Sequence, residues 1–368
     1  MDANANIDAP LDVDAIKRAD HKKKIRFGLI MGIFCALYWG IWYVPGAAIW
    51  GFDFAYPVKY EGNVNMVIDC LFITCVNATA CAVLLLIWNG ALGKLPEFRR
   101  TLVEFRAASK YFMAAGICGA CAVSGTYLAA CFLSPGFAAV AGLLYPIIGT
   151  SMSVLYLHQK VSKRGYLAII VLLAGGITLY SGSMISGTDS SEPLLGAIGG
   201  IMAAVGWGFE GTIAGKALDI CEPDVGLHLR FVFEAVFWWI VMFVLVAAGY
   251  DMFSTLGDIL DWPVFVAILM IGLSFAWCYV TWYKSFPFLG VARGQAVGSL
   301  YAACAVIFLV IFFGPEGALK YNDDSMLLIV TTTILGLIIC LIGSYLIATE
   351  DTEGMVSLKV LYDKGGIE

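Results

Sequence analysis

One carboxylate inside an apolar segment is the strongest candidate for chemistry in this sequence. Glu210 lies in a largely apolar stretch over residues 195–217, and an ionisable side chain inside a bilayer costs about 2.5 kcal/mol or more on insertion scales. Trp207 precedes it by three residues and therefore projects from the same helical face. We interpret Glu210 as a counter-charge for a cationic solute or as a proton-coupling acid. The alternative is a structural acid that is hydrogen-bonded to a neighbouring helix.

Two further carboxylates lie inside predicted membrane segments. Glu234 follows Arg230 by one helical turn, and such an i,i+4 pair can neutralise both charges near the membrane edge. We interpret this pair as structural. Asp69 falls in the first turn of a predicted helix, which indicates an interfacial group within reach of headgroups and water.

Aromatic residues accumulate on helices near this acid. Trp42 occupies in the first helix the position that Glu210 occupies in the sixth, and polar supplements come from Ser124 and Ser299. Other aromatics, Trp282 and Tyr283 among them, fit an interfacial belt. A cation over an aromatic face gains about 2 kcal/mol or more once desolvated, so rings around a carboxylate favour an ammonium group. The predicted solute-binding residues are Trp39, Trp42, Tyr43, Tyr127, Tyr145, Trp207, Glu210, Trp277, Gln295 and Tyr301.

Other kinds of chemistry find little support in the sequence. It has no Walker lysine motif, and its three histidines (His21, His158 and His228) sit in tail or loop-edge positions. The eleven cysteines lie almost entirely in apolar segments, where Cys behaves as a small hydrophobe. No nucleic-acid footprint is present. We therefore predict a protein that is not an enzyme and holds no metal and no cofactor.

The elements that must position these residues are membrane-spanning helices. Of the 368 residues, 60% are hydrophobic and 14% are charged, and a bilayer core needs about 20 apolar residues to cross as a helix. Residues 165–180 are apolar on every face, which excludes the alternation of a β-barrel. The fold class is predicted to be all-α integral membrane with ten helices, over residues 27–50, 66–90, 111–133, 136–157, 165–186, 195–217, 227–249, 263–283, 291–313 and 326–348.

Two short motifs recur in the order expected of a duplication. Residues 36–40 (ALYWG) parallel residues 204–208 (AVGWG), and residues 141–145 (AGLLY) parallel residues 297–301 (VGSLY). Each half has five helices, an odd number, so the second half must be inverted relative to the first. The predicted organisation is an N-terminal tail (1–26), a first five-helix repeat (27–186), a second, inverted repeat (195–348) and a C-terminal tail (349–368).

The distribution of basic residues fixes the predicted orientation. With a cytoplasmic N-terminus, only Lys59 and Lys320 of the 22 Lys and Arg residues fall outside, as the positive-inside rule requires. Residues 1–26 are polar and contain no apolar segment of a signal peptide. We predict a multi-pass inner-membrane protein with both termini in the cytoplasm.

The Trp39-Gly40 pair and the block over residues 133–182 carry a resemblance to a known family. In that block Pro146, the polar turn at 158–164 and the Gly175-Gly176 pair match the family layout. On these residues the chain resembles ten-helix, EamA-type members of the drug/metabolite transporter superfamily. Gln159 departs from it, since the family usually has Glu there. The resemblance implies a central cavity lined mainly by helices 1, 3, 4, 6, 8 and 9. Members carry amino acids, nucleosides, sugar phosphates, amines and drugs.

These observations predict a secondary transporter that works by alternating access. The favoured solute is a cationic amine or quaternary ammonium compound similar to choline. One alternative is an exporter of neutral amino acids or other metabolites, and a second, from another class, is a non-transporting membrane scaffold or sensor. The expected partners are the solute and membrane lipids, and a homodimer is compatible with this reading.

Overall fold

Helices account for almost all of the chain that the structure describes. The computed structural model describes residues 13–49, 62–132, 138, 142–185, 192–252, 260–319 and 325–348. Within these ranges the helices are α1 (Val13–Ala48), α2 (Asn63–Ala91), α3 (Leu95–Val103), α4 (Arg106–Phe132), α5 (Tyr145–Leu155), α6 (Lys163–Ile185), α7 (Pro193–Ala217), α8 (Pro223–Ala247), α9 (Trp262–Leu289), α10 (Val291–Gly298), α11 (Tyr301–Leu319) and α12 (Met326–Ala348).

Eight helical segments in the described part are long and apolar enough to cross a membrane, with α10 and α11 together forming one of them. Large apolar side chains such as Leu327 and Leu341 point outward from the protein, as residues that face lipid tails do. The chain is therefore an all-α, multi-pass membrane protein, as predicted. The count of ten spans stays a prediction.

Several predicted boundaries differ from the structure. α1 begins at Val13, within the predicted tail, because polar residues continue the helix with pairs such as Asp20–Lys24 (2.7 Å). The short helix α3, which carries Arg99 and Arg100, occupies a stretch predicted as a loop. Residues 1–12 and 349–368 of the predicted tails, and residues 136–137 and 139–141 of the fourth predicted helix, lie outside the described residues.

Glycines allow the tightest helix contacts in the fold. α4 packs along α7, and α6 packs along α12. A Cβ atom added to Gly199 of α7 would lie 2.6 Å from the Gly125 carbonyl oxygen of α4, and one on Gly175 of α6 would lie 2.7 Å from the Cys340 backbone nitrogen of α12. Lipid tails are as apolar as leucine, so membrane helices associate through such close backbone packing.

Turns precede two of the helices, α5 and α11. A two-residue turn at Leu143–Leu144 precedes α5, and a second turn at Ser299–Leu300 separates α10 from α11. These turns are 156 residues apart, the same distance as between Tyr145 and Tyr301, which begin α5 and α11. Both tyrosines are fully buried.

The contact between α6 and α12 predicts a steric effect at Gly175. A Gly175→Ala variant should unfold more easily than the wild type, by about 1–3 kcal/mol, because the added methyl group meets backbone that cannot move independently. Gly46→Ala is the matched control, since a Cβ atom there meets nothing within 4 Å. Tryptophan fluorescence during unfolding in detergent measures both variants. Equal stability of the two would contradict the close packing described here.

Candidate functional site

The candidate site is built around two tryptophans that meet at the centre of the protein. Trp39 of α1 and Trp207 of α7 pack edge to face, with ring centroids 4.7 Å apart. Tyr301 of α11 stacks on Trp39 at 4.4 Å, and Tyr145 of α5 lies 6.2 Å from Trp207. All four side chains are fully buried. We call these four residues, together with Trp282, the ring cluster.

Trp282 of α9 completes the ring cluster, with centroids 5.9 Å from Trp39 and 6.1 Å from Tyr145. Its predicted place in an interfacial belt is wrong, and so is that of Tyr283, because both side chains are fully buried. The cause is the length of α9, which continues to Leu289 instead of ending at residue 283. The extra turns move both residues into the interior of the protein.

Most of the other predicted solute-binding aromatics border the ring cluster. Tyr43 stacks parallel to Tyr301 at 5.9 Å. Trp42 contacts Tyr127 at 5.7 Å and Phe275 at 4.8 Å. Tyr43 and Trp42 lie on α1, and the rings that they contact lie on α4, α9 and α11. The aromatic surface therefore continues from the ring cluster along α1.

Trp277 lies away from this group. Its half-buried ring packs on Trp88 at 4.6 Å and on Tyr38 at 6.4 Å. The hydroxyls of Ser124 and Ser299 donate to carbonyl oxygens of their own helices, those of Ala120 and Ala296. Trp277 therefore lies apart from the ring cluster, and both serine hydroxyls bond within their own helices.

Gln295 connects α10 to the ring cluster. Its backbone carbonyl accepts a hydrogen bond from the Tyr145 hydroxyl at 2.7 Å, and its side-chain Nε2 donates to the Trp207 carbonyl at 3.4 Å. Within the described part of the chain, no side chain or backbone group hydrogen-bonds to its Oε1 or to the indole Nε1 of Trp39, Trp42 or Trp282, although these atoms are buried. Buried polar atoms normally have partners, so these three donors and one acceptor are exceptions among the described residues.

A charged group lies beside the ring cluster. Arg230 of α8 donates through Nε to Glu210 Oε1 of α7 at 2.6 Å and forms an ion pair through Nη1 with Glu234 Oε2 of its own helix. All three residues are fully buried. We call Glu210, Arg230 and Glu234 the charge triad. The predicted i,i+4 pair of Arg230 and Glu234 is present, and α8 begins at Pro223, four residues earlier than predicted.

Two tyrosines of α9 hold Glu210 in place. Tyr279 donates to Glu210 Oε2 at 3.0 Å, and Tyr283 donates to Glu210 Oε1 at 3.3 Å. The Tyr279 hydroxyl also accepts from Trp207 Nε1 at 2.9 Å and from Arg230 Nη2 at 3.3 Å. One hydroxyl therefore joins the charge triad to the ring cluster. Sequence reasoning missed both tyrosines and Arg230 as members of the site, since no local spacing relates them to Glu210.

Glycines of α4 make room for the triad. A Cβ atom on Gly119 would overlap the Arg230 guanidinium and lie 2.9 Å from Glu210 Oε2. One on Gly116 would lie 2.7 Å from the Arg230 carbonyl oxygen. The arginine can therefore extend from α8 to α7 only because α4 presents no side chain at these two positions.

A second ionic group lies where α8 begins. Asp224 accepts from Lys94 at 2.6 Å, from Lys284 at 2.8 Å and from Trp88 Nε1 at 3.3 Å, and Lys94 also pairs with Glu222 at 2.8 Å. Partial burial acts to lower the pKa of Lys94, but the hydrogen bonds from its ammonium group to these carboxylates dominate and raise the pKa. These contacts join the end of α2 to α8 and α9.

Asp69 is not an interfacial group, contrary to prediction. α2 begins at Asn63, earlier than expected, and the side chain of Asp69 is fully buried by protein. Within the described residues, no three His, Cys, Asp or Glu side chains converge as a metal site would require.

Comparisons with known proteins bear on the fold. No protein-family model and no curated protein matches this sequence. Twenty-eight chains of solved structures match. One of them, described as "Crystal structure of protein", superposes with a TM-score of 0.57 and 15% sequence identity and covers 85% of this chain and 97% of its own. The fold is therefore similar to one already observed, over most of the length of both chains.

The burial of the charge triad predicts a large cost when its arginine is removed. Arg230→Met should lower the free energy of unfolding by about 3–5 kcal/mol, because it leaves two carboxylates without their cation. Arg100→Met is the matched control, since Arg100 forms exposed pairs with Glu97 and Glu104 and lies over the exposed Phe105 ring, and its removal should cost about 1 kcal/mol or less. Steric-trap or thermal unfolding in detergent compares the two. Adding Glu210→Gln and Glu234→Gln to Arg230→Met should restore much of the loss, and a stable single variant would contradict this assignment.

Proposed function

We propose that this protein is a secondary transporter that moves a small organic solute with an ammonium group by alternating access. Ten membrane-spanning helices would form two inverted five-helix halves, residues 27–186 and 195–348, that rock about a site at the ring cluster. The basic connectors and both termini would face the cytoplasm of an inner membrane. The chain would then belong with the EamA-type drug/metabolite transporters that its sequence resembles.

Matching contacts in the two halves support the duplication. Trp39 and Trp207 are 168 residues apart, Tyr145 and Tyr301 are 156 apart, and the stacking of Trp39 on Tyr301 has its counterpart in the contact of Trp207 with Tyr145. A Cβ atom on Gly40 would meet Cys304, and one on Gly208 would meet Ile148, again 168 and 156 residues apart. Helix pairs recur in the same way, α1 with α9 and α7 with α4.

The observation that carries the proposal is the contact between Trp39 and Trp207, the repeat-related residues at the junction of the halves. Motion of one half against the other would separate these rings and expose their faces. Ammonium groups bind to such faces once desolvated. The charge triad adds one net negative charge when all three of its groups are ionised, and Tyr279 connects it to Trp207. This charge favours a cationic solute similar to choline.

Arg230 changes the role that we propose for Glu210. Its guanidinium already pairs with the Glu210 carboxylate, so this acid acts on the solute through the field of the whole triad, and not as an isolated counter-charge. The ring faces would make the direct contact with the ammonium group.

A specific observation favours a second candidate, the transport of neutral amino acids. The indole Nε1 atoms of Trp39, Trp42 and Trp282 are donors only, and among the described residues no acceptor satisfies them. A solute carboxylate would supply acceptors, and α5 and α11 both begin at the ring cluster with the positive ends of their dipoles. A zwitterionic solute would then place its ammonium group on the ring faces and its carboxylate near these donors.

Transport assays in proteoliposomes test the proposal and separate the two solutes. We expect flux of radiolabelled choline or of a radiolabelled neutral amino acid such as leucine, and we expect Trp39→Phe to reduce it strongly by removing an indole from the ring cluster. Trp262→Phe is the matched control, since this tryptophan is 76% exposed at the start of α9, and it should transport as the wild type does. Absence of flux across a broad panel of amines and amino acids would favour a non-transporting scaffold or sensor. An equal loss of flux in both variants would contradict a solute route through the ring cluster.

A further inference from the structure

We propose that Glu234 is a proton-binding site and that Arg230 communicates its protonation state to Glu210. The coupling of this proton to solute movement rests on the proposed function, but proton binding itself does not. No sequence motif marks Glu234 for this role, and its sequence context favours a structural ion pair. The inference comes from the contacts of the charge triad.

The charge triad is unbalanced by one charge. Two glutamates and one arginine carry a net charge of −1 when all are ionised, and all three are fully buried. Helix α8 rises about 1.5 Å per residue, so Glu234 lies about 16 Å from its start in a bilayer core about 30 Å thick. An unbalanced charge near the middle of the membrane costs several kcal/mol. One proton on either carboxylate removes that charge.

Glu210 and Glu234 differ in their hydrogen bonding. Glu210 accepts hydrogen bonds on both oxygens, from Arg230, Tyr279 and Tyr283. Glu234 accepts from Arg230 through Oε2, and a second donor beside it, the Trp238 indole of its own helix, does not reach hydrogen-bonding geometry to the buried Oε1 within the described residues. Donors stabilise the ionised form of a carboxylate. The proton therefore belongs on Glu234, and Oε1 is the oxygen that takes it.

Other ionisable groups surround Glu234 from several helices. Arg230 and the Trp238 indole act on it from α8, and Glu210 acts from α7. Cys75 and Cys81 face it from α2, Tyr279 and Tyr283 from α9 act on the same triad, and Cys118 of α4 faces Glu210. Helix α3 contacts the start of α8, through Phe98 and His228. Arg230 is the only cation among these groups, so no second basic side chain competes with the proton within the described part of the chain.

Protonation changes the pairing of Arg230. A proton from water adds to Glu234 Oε1, which becomes neutral, and the triad changes from −1 to zero. Arg230 then pairs by charge with Glu210 alone, which strengthens the link between α8 and α7. Since Glu210 and Arg230 both bond to Tyr279, and Tyr279 bonds to Trp207, the change reaches the ring cluster through a single hydroxyl. Release of the proton to water restores the shared arginine.

Infrared difference spectroscopy of the purified protein across pH tests proton binding without any solute. The wild type should show a carboxylic acid C=O band that appears and disappears with pH. In Glu234→Asp the band should move, because the protonated group is now an aspartic acid, whereas Glu210→Asp should leave its frequency nearly unchanged. No titrating band in the wild type, or a band that moves in Glu210→Asp and not in Glu234→Asp, would overturn the proposal.

Solute flux provides a second measurement, which does not depend on how well the aspartate variants fold. In proteoliposomes, a proton gradient should raise wild-type flux of choline or leucine, and in Glu234→Gln the ratio of flux with and without the gradient should fall to unity. Glu222→Gln, at the half-buried cap that precedes α8 and apart from the charge triad, should keep the wild-type ratio. An unchanged ratio in Glu234→Gln would refute the proton role. A titrating infrared band together with no flux of any solute would refute the proposed function alone.

Discussion

Arg230 is shared between two carboxylates in a part of the protein where neither water nor lipid can compensate their charge. This interaction constrains the helices around it. α8 must begin early enough to place Arg230 in the interior, α4 must present glycine at 116 and 119, and α9 must supply hydroxyls at 279 and 283. In a medium of low dielectric a buried charge is retained only with its partners, so these features depend on one another.

The ring cluster and the charge triad are one continuous site. Tyr279 donates to Glu210 and accepts from both Arg230 and Trp207, so its hydroxyl uses one donor and two acceptor positions. Trp207 in turn contacts Trp39 from the other proposed half. A change in charge at the triad therefore alters a hydrogen bond to a residue that the solute would touch. This arrangement gives a physical route by which solute and proton could affect one another, across a distance of only two side chains.

Sequence patterns singled out Trp39, Tyr145, Trp207 and Tyr301 by their shared offsets, and these four residues lie together in the structure. The errors arose at helix ends. α8 begins four residues earlier and α9 ends six residues later than apolar runs indicate, and the added turns of α9 leave Trp282 inside the helix, where it is buried. Trp277 lies on a face of α9 that packs against Trp88, which residue type alone does not indicate. Pairing between helices, such as Glu210 with Arg230, depends on tertiary packing that one sequence does not reveal.

The Tyr279 hydroxyl links the charge triad to Trp207, and solute affinity as a function of pH tests this link most directly. Coupling between two binding sites is reciprocal, so the dissociation constant of the transported solute should change with pH in the wild type. Tyr279→Phe keeps the ring but removes the hydroxyl that joins Trp207 to Glu210, and it should flatten this dependence. A wild-type dissociation constant that is the same at every pH, or a dependence that Tyr279→Phe leaves intact, would contradict the account.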